Sequence, residues 1–168
     1  MTELEAFRVE RNEFFGSHSQ SPLTREQKMN FQGLNYFPEN KALRLIVQVD
    51  EFPIKKTFEM QTSTGDVQIY EKFGKFHFIL DDEDAELTIY QSQYGFFLPF
   101  VDSLANRETY PSGRYLEPEP LPGGHFIVDF NLAYNPYCAY NEKWSCPITP
   151  MENRLKVAVH AGERLFHE

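Results

Sequence analysis

K-A-L-R-L-I-V-Q-V, residues 41–49, is the stretch that decides the fold. Leu43, Leu45, Val47 and Val49 alternate with Arg44, Ile46 and Gln48. A period of two is that of a β-strand with one apolar face. The same period recurs on the C-terminal side. Residues 55–61 and 66–72 read as strands joined by turn residues at 63–65. Residues 75–80 place Phe76, Phe78 and Leu80 on one face, and residues 87–91 follow. Between them D-D-E-D-A-E, residues 81–86, lacks the glycine that lets a calcium loop turn, so it reads as a solvated loop.

Further along, residues 94–102 form an aromatic strand that ends at the acid Asp102. Residues 111–113, P-S-G, make a turn from which Arg114 leaves toward Tyr115. E-P-E-P-L-P-G-G, residues 117–124, is a surface connector. H-F-I-V-D-F-N-L, residues 125–132, alternates Phe126, Val128, Phe130 and Leu132 with His125, Ile127, Asp129 and Asn131. Residues 154–163 alternate again through Leu155, Val157 and Val159. Short strands in series predict a mainly β fold, either an antiparallel β-barrel or a bent β-sandwich. No internal repeat and no low-complexity segment interrupts it.

The N-terminal side has a helical period instead. Leu4, Phe7, Phe14 and Phe15 share a face over residues 2–15. Thr2 with Glu5 is the capping-box pattern, and Gly16 is a stop. Thr24 with Gln27 repeats the pattern for a second, short helix ended by Gly33. F-Q-G-L-N-Y-F-P, residues 31–38, reads as an aromatic plug at one end of the sheet; alternatively Tyr36 or Phe37 lines a pocket. The expected organisation is one domain over 1–168, with helices over about 2–33 and the β portion over about 42–168.

Composition narrows the partners. Hydrophobic residues at 41% and charged residues at 24% suit a globular chain. Sixteen Phe and nine Tyr favour a pleated, half-buried surface over helix. The formal net charge is -9, and no cluster of Lys and Arg is present to displace counterions, so neither nucleic acid nor an anionic membrane is expected as partner. The charged N-terminus has no signal-peptide pattern, and no apolar run reaches the ~20 residues of a membrane helix. A cytoplasmic location is expected, with Cys138 and Cys146 reduced.

Residues 129–154, D-F-N-L-A-Y-N-P-Y-C-A-Y-N-E-K-W-S-C-P-I-T-P-M-E-N-R, hold both cysteines and the only tryptophan. A long irregular segment is usually functional or disordered. Its Tyr, Trp and Pro content argues for order. The chain resembles the domain of unknown function 1684 family in S-P-L-T at 21–24, F-Q-G-L-N-Y-F-P at 31–38, P-F-V-D at 99–102 and T-Y-P-S-G-R-Y-L at 109–116. The likeness continues in D-F-N-L-A-Y-N-P-Y-C-A-Y at 129–140, C-P-I-T-P-M-E-N-R-L at 146–155 and A-G-E at 161–163. It departs from the family pattern at Tyr137, Ile148 and Thr149 and keeps Cys138, Cys146 and Asn153. The resemblance implies a single mostly β domain and brings no activity, substrate or cofactor.

Three roles fit these residues. In the first, the segment roofs a small-molecule pocket with or without catalysis, and Arg114, His125, Asp129, Asn131, Tyr134, Asn135, Cys138, Tyr140, Glu152 and Asn153 supply its polar groups. Arg114 is the preferred partner of Asp129, because a planar guanidinium grips a carboxylate through two hydrogen bonds. In the second, the segment is a structural or interaction cover without ligand. In the third, Cys138 and Cys146 join His125 or His160 around zinc, although seven intervening residues exceed the usual spacing. A Cys138 nucleophile would need a base such as His125, His160 or Glu163, and a carboxylate pair would use Asp129 with Glu152 or Glu163. No cofactor, catalytic residue or oligomeric state follows from the sequence.

Overall fold

Residues 43–49 alternate in space as they do in sequence: Leu43, Val47 and Val49 are buried while Ile46 is 61% exposed. The computed structural model describes residues 1–167. Helices α1 (Glu3–Ser17) and α2 (Arg25–Met29) precede β1 (Arg44–Gln48), β2 (Asp50–Glu51), β3 (Thr57–Gln61), β4 (Val67–Leu80) and β5 (Glu83–Ser92). Then come β6 (Gly95–Phe100), β7 (Arg114–Leu116), β8 (Glu119–Pro120) and β9 (His125–Asp129), with short 3-10 turns between. One sheet has the order β1-β9-β8, the other β2-β4-β5-β6-β7, and β3 pairs with β4 beside β2. The strand pairings are antiparallel, and among the described residues neither sheet closes on itself. The fold is thus mainly β and antiparallel. Both sheets feed one core, with Val47, Phe126 and Val128 from the first meeting Phe76, Leu87, Ile89, Leu98 and Phe100 from the second.

Three expectations are corrected. Residues 67–80 form one strand, with a bulge between Lys72 and Gly74 that leaves Phe73 without a partner on β5, rather than two strands. That bulge turns the Phe73 ring onto Phe96 and Phe126. The acidic run is not a loop through residue 86. Asp81 (φ 52°) and Asp82 (φ 63°) make a two-residue hairpin turn, and Glu83 already begins β5. Left-handed backbone at both central residues matches the twist of the flanking strands, and Asp tolerates it better than most side chains.

The third correction concerns residues 154–163, which keep alternating burial but form no strand. Isolated backbone contacts, such as Leu155 N to Val101 O and Glu163 N to Ala133 O, satisfy part of the segment, and side chains take the rest of one edge. Arg114 donates to the carbonyls of Val159, Ala161 and Glu163, every second residue along one edge. Asp102 Oδ2 accepts from Val159 N at 2.7 Å. A guanidinium and a carboxylate stand where a neighbouring strand would otherwise satisfy the edge.

Both expected capping boxes are made, at Thr2 with Glu5 and Thr24 with Gln27. Gly16 lies inside α1, which runs to Ser17, and α2 ends at Met29, before Gly33. Phe15 of α1 packs with Leu23, Leu34 and Tyr140 in a second apolar cluster, which seats the helix on the 134–140 segment. The aromatic plug at 31–38 joins it through Phe31 and Tyr36. Among the described residues no helix is long and apolar enough to cross a membrane.

Candidate functional site

The centre of the 129–154 region is a carboxylate outside it. Gly162 has φ +79°, and a Cβ there would lie 2.7 Å from Phe130 O, so only glycine lets the chain pass this close. That passage delivers Glu163, which is 0% exposed. Its Oε1 accepts from Arg11 Nη1 at 2.9 Å and from Asn135 N at 3.0 Å, and its Oε2 accepts from the Tyr140 hydroxyl. Arg11 also donates to the Tyr36 hydroxyl at 2.7 Å. A buried carboxylate survives only with such a donor set. Burial by itself lowers the Arg11 pKa, but Glu163, Tyr140 and Tyr36 outweigh it and the net shift is upward. Burial and then Glu163 push the Tyr140 phenol well above its usual range, so it stays a donor.

Arg114 does not pair with Asp129. It is 1% exposed and lies 3.4 Å from Asp102 Oδ2, with its remaining donors on the three carbonyls of the 159–163 edge. Full burial pulls its pKa down to about 10, against the pull of Asp102 and Glu163, and it remains a cation at neutral pH. Asp129 instead caps the turn that follows β9: its Oδ1 accepts from Asn131 N and Asn131 Nδ2, each at 3.0 Å. Arg44 approaches Asp129 only to 4.0 Å, half in solvent. Asn131 is not on the polar face of a continuing strand. The chain enters a 3-10 turn at Phe130, and Asn131 is buried, exchanging two 2.9 Å hydrogen bonds with the backbone of Asn40.

The other candidates disperse. His125 stands at the far end of β9, with Nδ1 3.4 Å from Pro122 O. Glu152 is on the surface with Lys72 at 3.0 Å and the Tyr90 hydroxyl, whose pKa burial and then Glu152 raise. Asn153 is buried between β5 and β6. Asn135 donates to Glu163 through its backbone and to Arg164 O, at 3.0 Å, through its side chain. The structure therefore gathers Asn135 and Tyr140 around Glu163, with Tyr134 alongside, and leaves His125, Glu152 and Asn153 apart.

Tyr134 lines a groove. Its backbone pairs with that of Tyr115, and its hydroxyl donates to Glu117 Oε1 at 2.7 Å. Burial, then Glu117, raises the Tyr134 pKa. A concavity of about 530 Å³ runs beside α1 past Phe7, Glu10, Phe14, Tyr134 and Tyr137. A smaller one of about 170 Å³ adjoins it, reaching Leu132 and Asp129 under β8 and β9. The two share Phe7, Glu117 and Tyr134.

Cys138 and Cys146 do meet, as unbridged thiols, Cys146 buried and Cys138 half-buried. Neither His125 nor His160 joins them: among the described residues no group of three or more His, Cys, Asp or Glu side chains could hold a metal ion. The donor set does not fit a tetrahedral zinc site.

Sequence reasoning missed Arg11, Asp102 and Glu117 as partners. Arg11 carries no signal beyond its place on a helix. The A-G-E stretch at 161–163 was the available pointer to Glu163, and the acid ending P-F-V-D the pointer to Asp102.

A family model described as "Protein of unknown function (DUF1684)" matches residues 29–164. Among solved structures, the solution NMR structure of an uncharacterized protein from Haloarcula marismortui is similar, at 35% sequence identity and a TM-score of 0.75. The match covers 99% of this chain and 94% of that chain. No curated protein matches.

Proposed function

The chain belongs to the DUF1684 family of proteins of unknown function, and with that membership as premise we infer that it is a small-molecule-binding protein whose ligand lies in the groove between α1 and the β7–β9 face. The observation that carries this is the continuity of the two concavities through Phe7, Glu117 and Tyr134. Aromatic walls with a few polar groups are what small-ligand sites use. Arg11 borders the groove, but its charge is committed to Glu163. The charges left to meet a ligand are Glu10, Glu117, Glu119 and Asp129. Carboxylates at the rim of an aromatic trough select a cation with an apolar body, an aryl- or alkylamine.

Titration with 2-phenylethylamine, followed by NMR, tests this. The amide signals of Phe7, Glu117 and Tyr134 should move together, and the isosteric anion phenylacetate should leave them still. Glu117→Gln should weaken the amine about tenfold, the loss of one charge-assisted contact. Equal response to the two probes, or shifts confined to other faces, would refute the reading.

A structural role for the 134–153 segment is favoured by the internal hydrogen bonds of Asn135 and Asn153. It is compatible with the groove, which that segment only borders. We read the two open sheets over one core as a bent sandwich rather than a barrel, and the whole as one domain. The net charge of -9 supports a small cationic partner over nucleic acid or anionic membrane. The compartment best supported by two unbridged thiols is the cytoplasm.

A further inference from the structure

The two cysteines are held from opposite sides of an eight-step segment. Cys138 sits on the 3-10 turn Tyr137–Ala139, which packs against Phe15 of α1 through Tyr137. Cys146 is tied to the turn after β3: its N donates to Ser63 Oγ at 3.1 Å, and its carbonyl accepts from Ser63 N at 2.9 Å. Between these anchors, Cys146 Sγ accepts from Cys138 N at 3.2 Å. Since N–Cα is about 1.46 Å, that contact puts Cys146 Sγ no more than about 4.7 Å from the Cys138 Cα. Tyr110 lies 3.5 Å from Cys138 Sγ with its hydroxyl donating. A sulfur this close to the other cysteine's backbone is within reach of a disulfide.

The pair is unequal. The Cys146 thiol, then Tyr110 and Ser63, stabilise Cys138 as thiolate against its burial and draw its pKa down to about 6. The bond that Cys146 donates, together with burial, raises its own pKa. The half-buried Cys138 sulfur is the one drawn toward thiolate, and the buried Cys146 sulfur the one held as thiol.

We propose that Cys138 and Cys146 form a dithiol–disulfide couple that exchanges with low-molecular-weight disulfides, with Cys138 attacking and Cys146 resolving. The Cys138 thiolate attacks one sulfur of the disulfide RSSR. That S–S bond breaks, a mixed disulfide Cys138–S–S–R forms, and RS⁻ leaves and takes up a proton. Cys146 then gives its proton to solvent and attacks Cys138 Sγ. The mixed bond breaks and a second RS⁻ leaves, to be protonated as RSH. Two electrons pass from the protein to RSSR, which becomes two RSH. Trp144, inside the closed ring and donating from Nε1 to Pro22 O at 3.3 Å, lies where ring closure is felt. The couple does not depend on the groove.

The experiment uses the intact chain with oxidised and reduced glutathione, quenched by alkylation and read by intact mass. Wild type should lose two hydrogens in oxidised glutathione and regain them in reduced glutathione, with Trp144 fluorescence following. Cys146→Ser should keep one glutathione on Cys138, and Cys138→Ser should take up none while folded. Alkylation of wild-type Cys138 by iodoacetamide should rise through about pH 6, whereas an unperturbed thiol rises near about 8.5. Cys146→Ala should move that midpoint upward. Two free thiols persisting in wild type under oxidised glutathione would overturn the proposal, whatever the variants do. So would equal labelling of the two sulfurs, or a wild-type adduct that never closes.

Discussion

Arg114→Met is expected to lower the unfolding free energy by about 3–5 kcal/mol, the usual cost of removing one partner from a buried ion pair. Methionine fills much of the volume, so the loss is electrostatic and not a cavity. Three carbonyls lose the guanidinium at once, with Ala161 and Glu163 left without a donor and Val159 keeping only Ala161 N, and Asp102 keeps only Val159 N and Thr109 Oγ1. Arg114→Lys should recover only part of the loss. An ammonium is a compact point charge and cannot present a planar fork to three carbonyls and a carboxylate. Urea denaturation at neutral pH measures both. A loss below about 1 kcal/mol for Arg114→Met would mean the 159–163 edge finds other partners, and a structural reading of this arginine would fail.

Asn153→Ala is expected to cost on the order of 3 kcal/mol, because three buried backbone groups lose their partner. The paired residues of β5 and β6 run from Ser92↔Gly95 to Tyr90↔Phe97, and the same register would set Thr88 opposite Pro99. Proline has no N–H, so the ladder cannot continue there. The Asn153 carboxamide fills the gap like a spare peptide group. Its Oδ1 accepts from Thr88 N, and its Nδ2 donates to Thr88 O and Pro99 O, each at 2.8 Å. Asn153→Asp keeps the shape but turns an acceptor toward two carbonyls. It should destabilise at least as much at neutral pH. Facing those carbonyls, the buried acid would titrate above its unfolded value, so the penalty should shrink as pH falls toward about 4. A flat pH dependence in the urea midpoints of Asn153→Asp would contradict this geometry.

The parts of the fold that sequence revealed are those written locally. Strand periodicity at 43–49 and the two capping boxes depend on residues within a few positions of one another. The 154–163 segment misled for the same reason. Its alternating burial is local, but the guanidinium that replaces its neighbouring strand comes from Arg114, and nothing nearby in sequence announces it. Asp102 and Asp129 illustrate the limit for the site. Each is an acid ending an apolar run, so sequence offers no ground for choosing Arg114's partner. The path of the 159–163 edge makes the choice. The groove was invisible for a related reason, since its two walls come from α1 and from residues more than a hundred positions later.

The hydrogen bond between Arg11 and Glu163 spans 152 positions of the chain. During synthesis Arg11 of α1 emerges 152 positions ahead of its partner carboxylate. Contacts of such separation cost the most loop-closure entropy and form late. Until Glu163 has cleared the ribosome, α1 has no counter-charge for Arg11 and no Tyr140 fixed against Phe15. The protein cannot finish folding from its N-terminus onward. It must hold α1 undocked until residue 163 has been made, and over that interval the helix is open to a chaperone or protease.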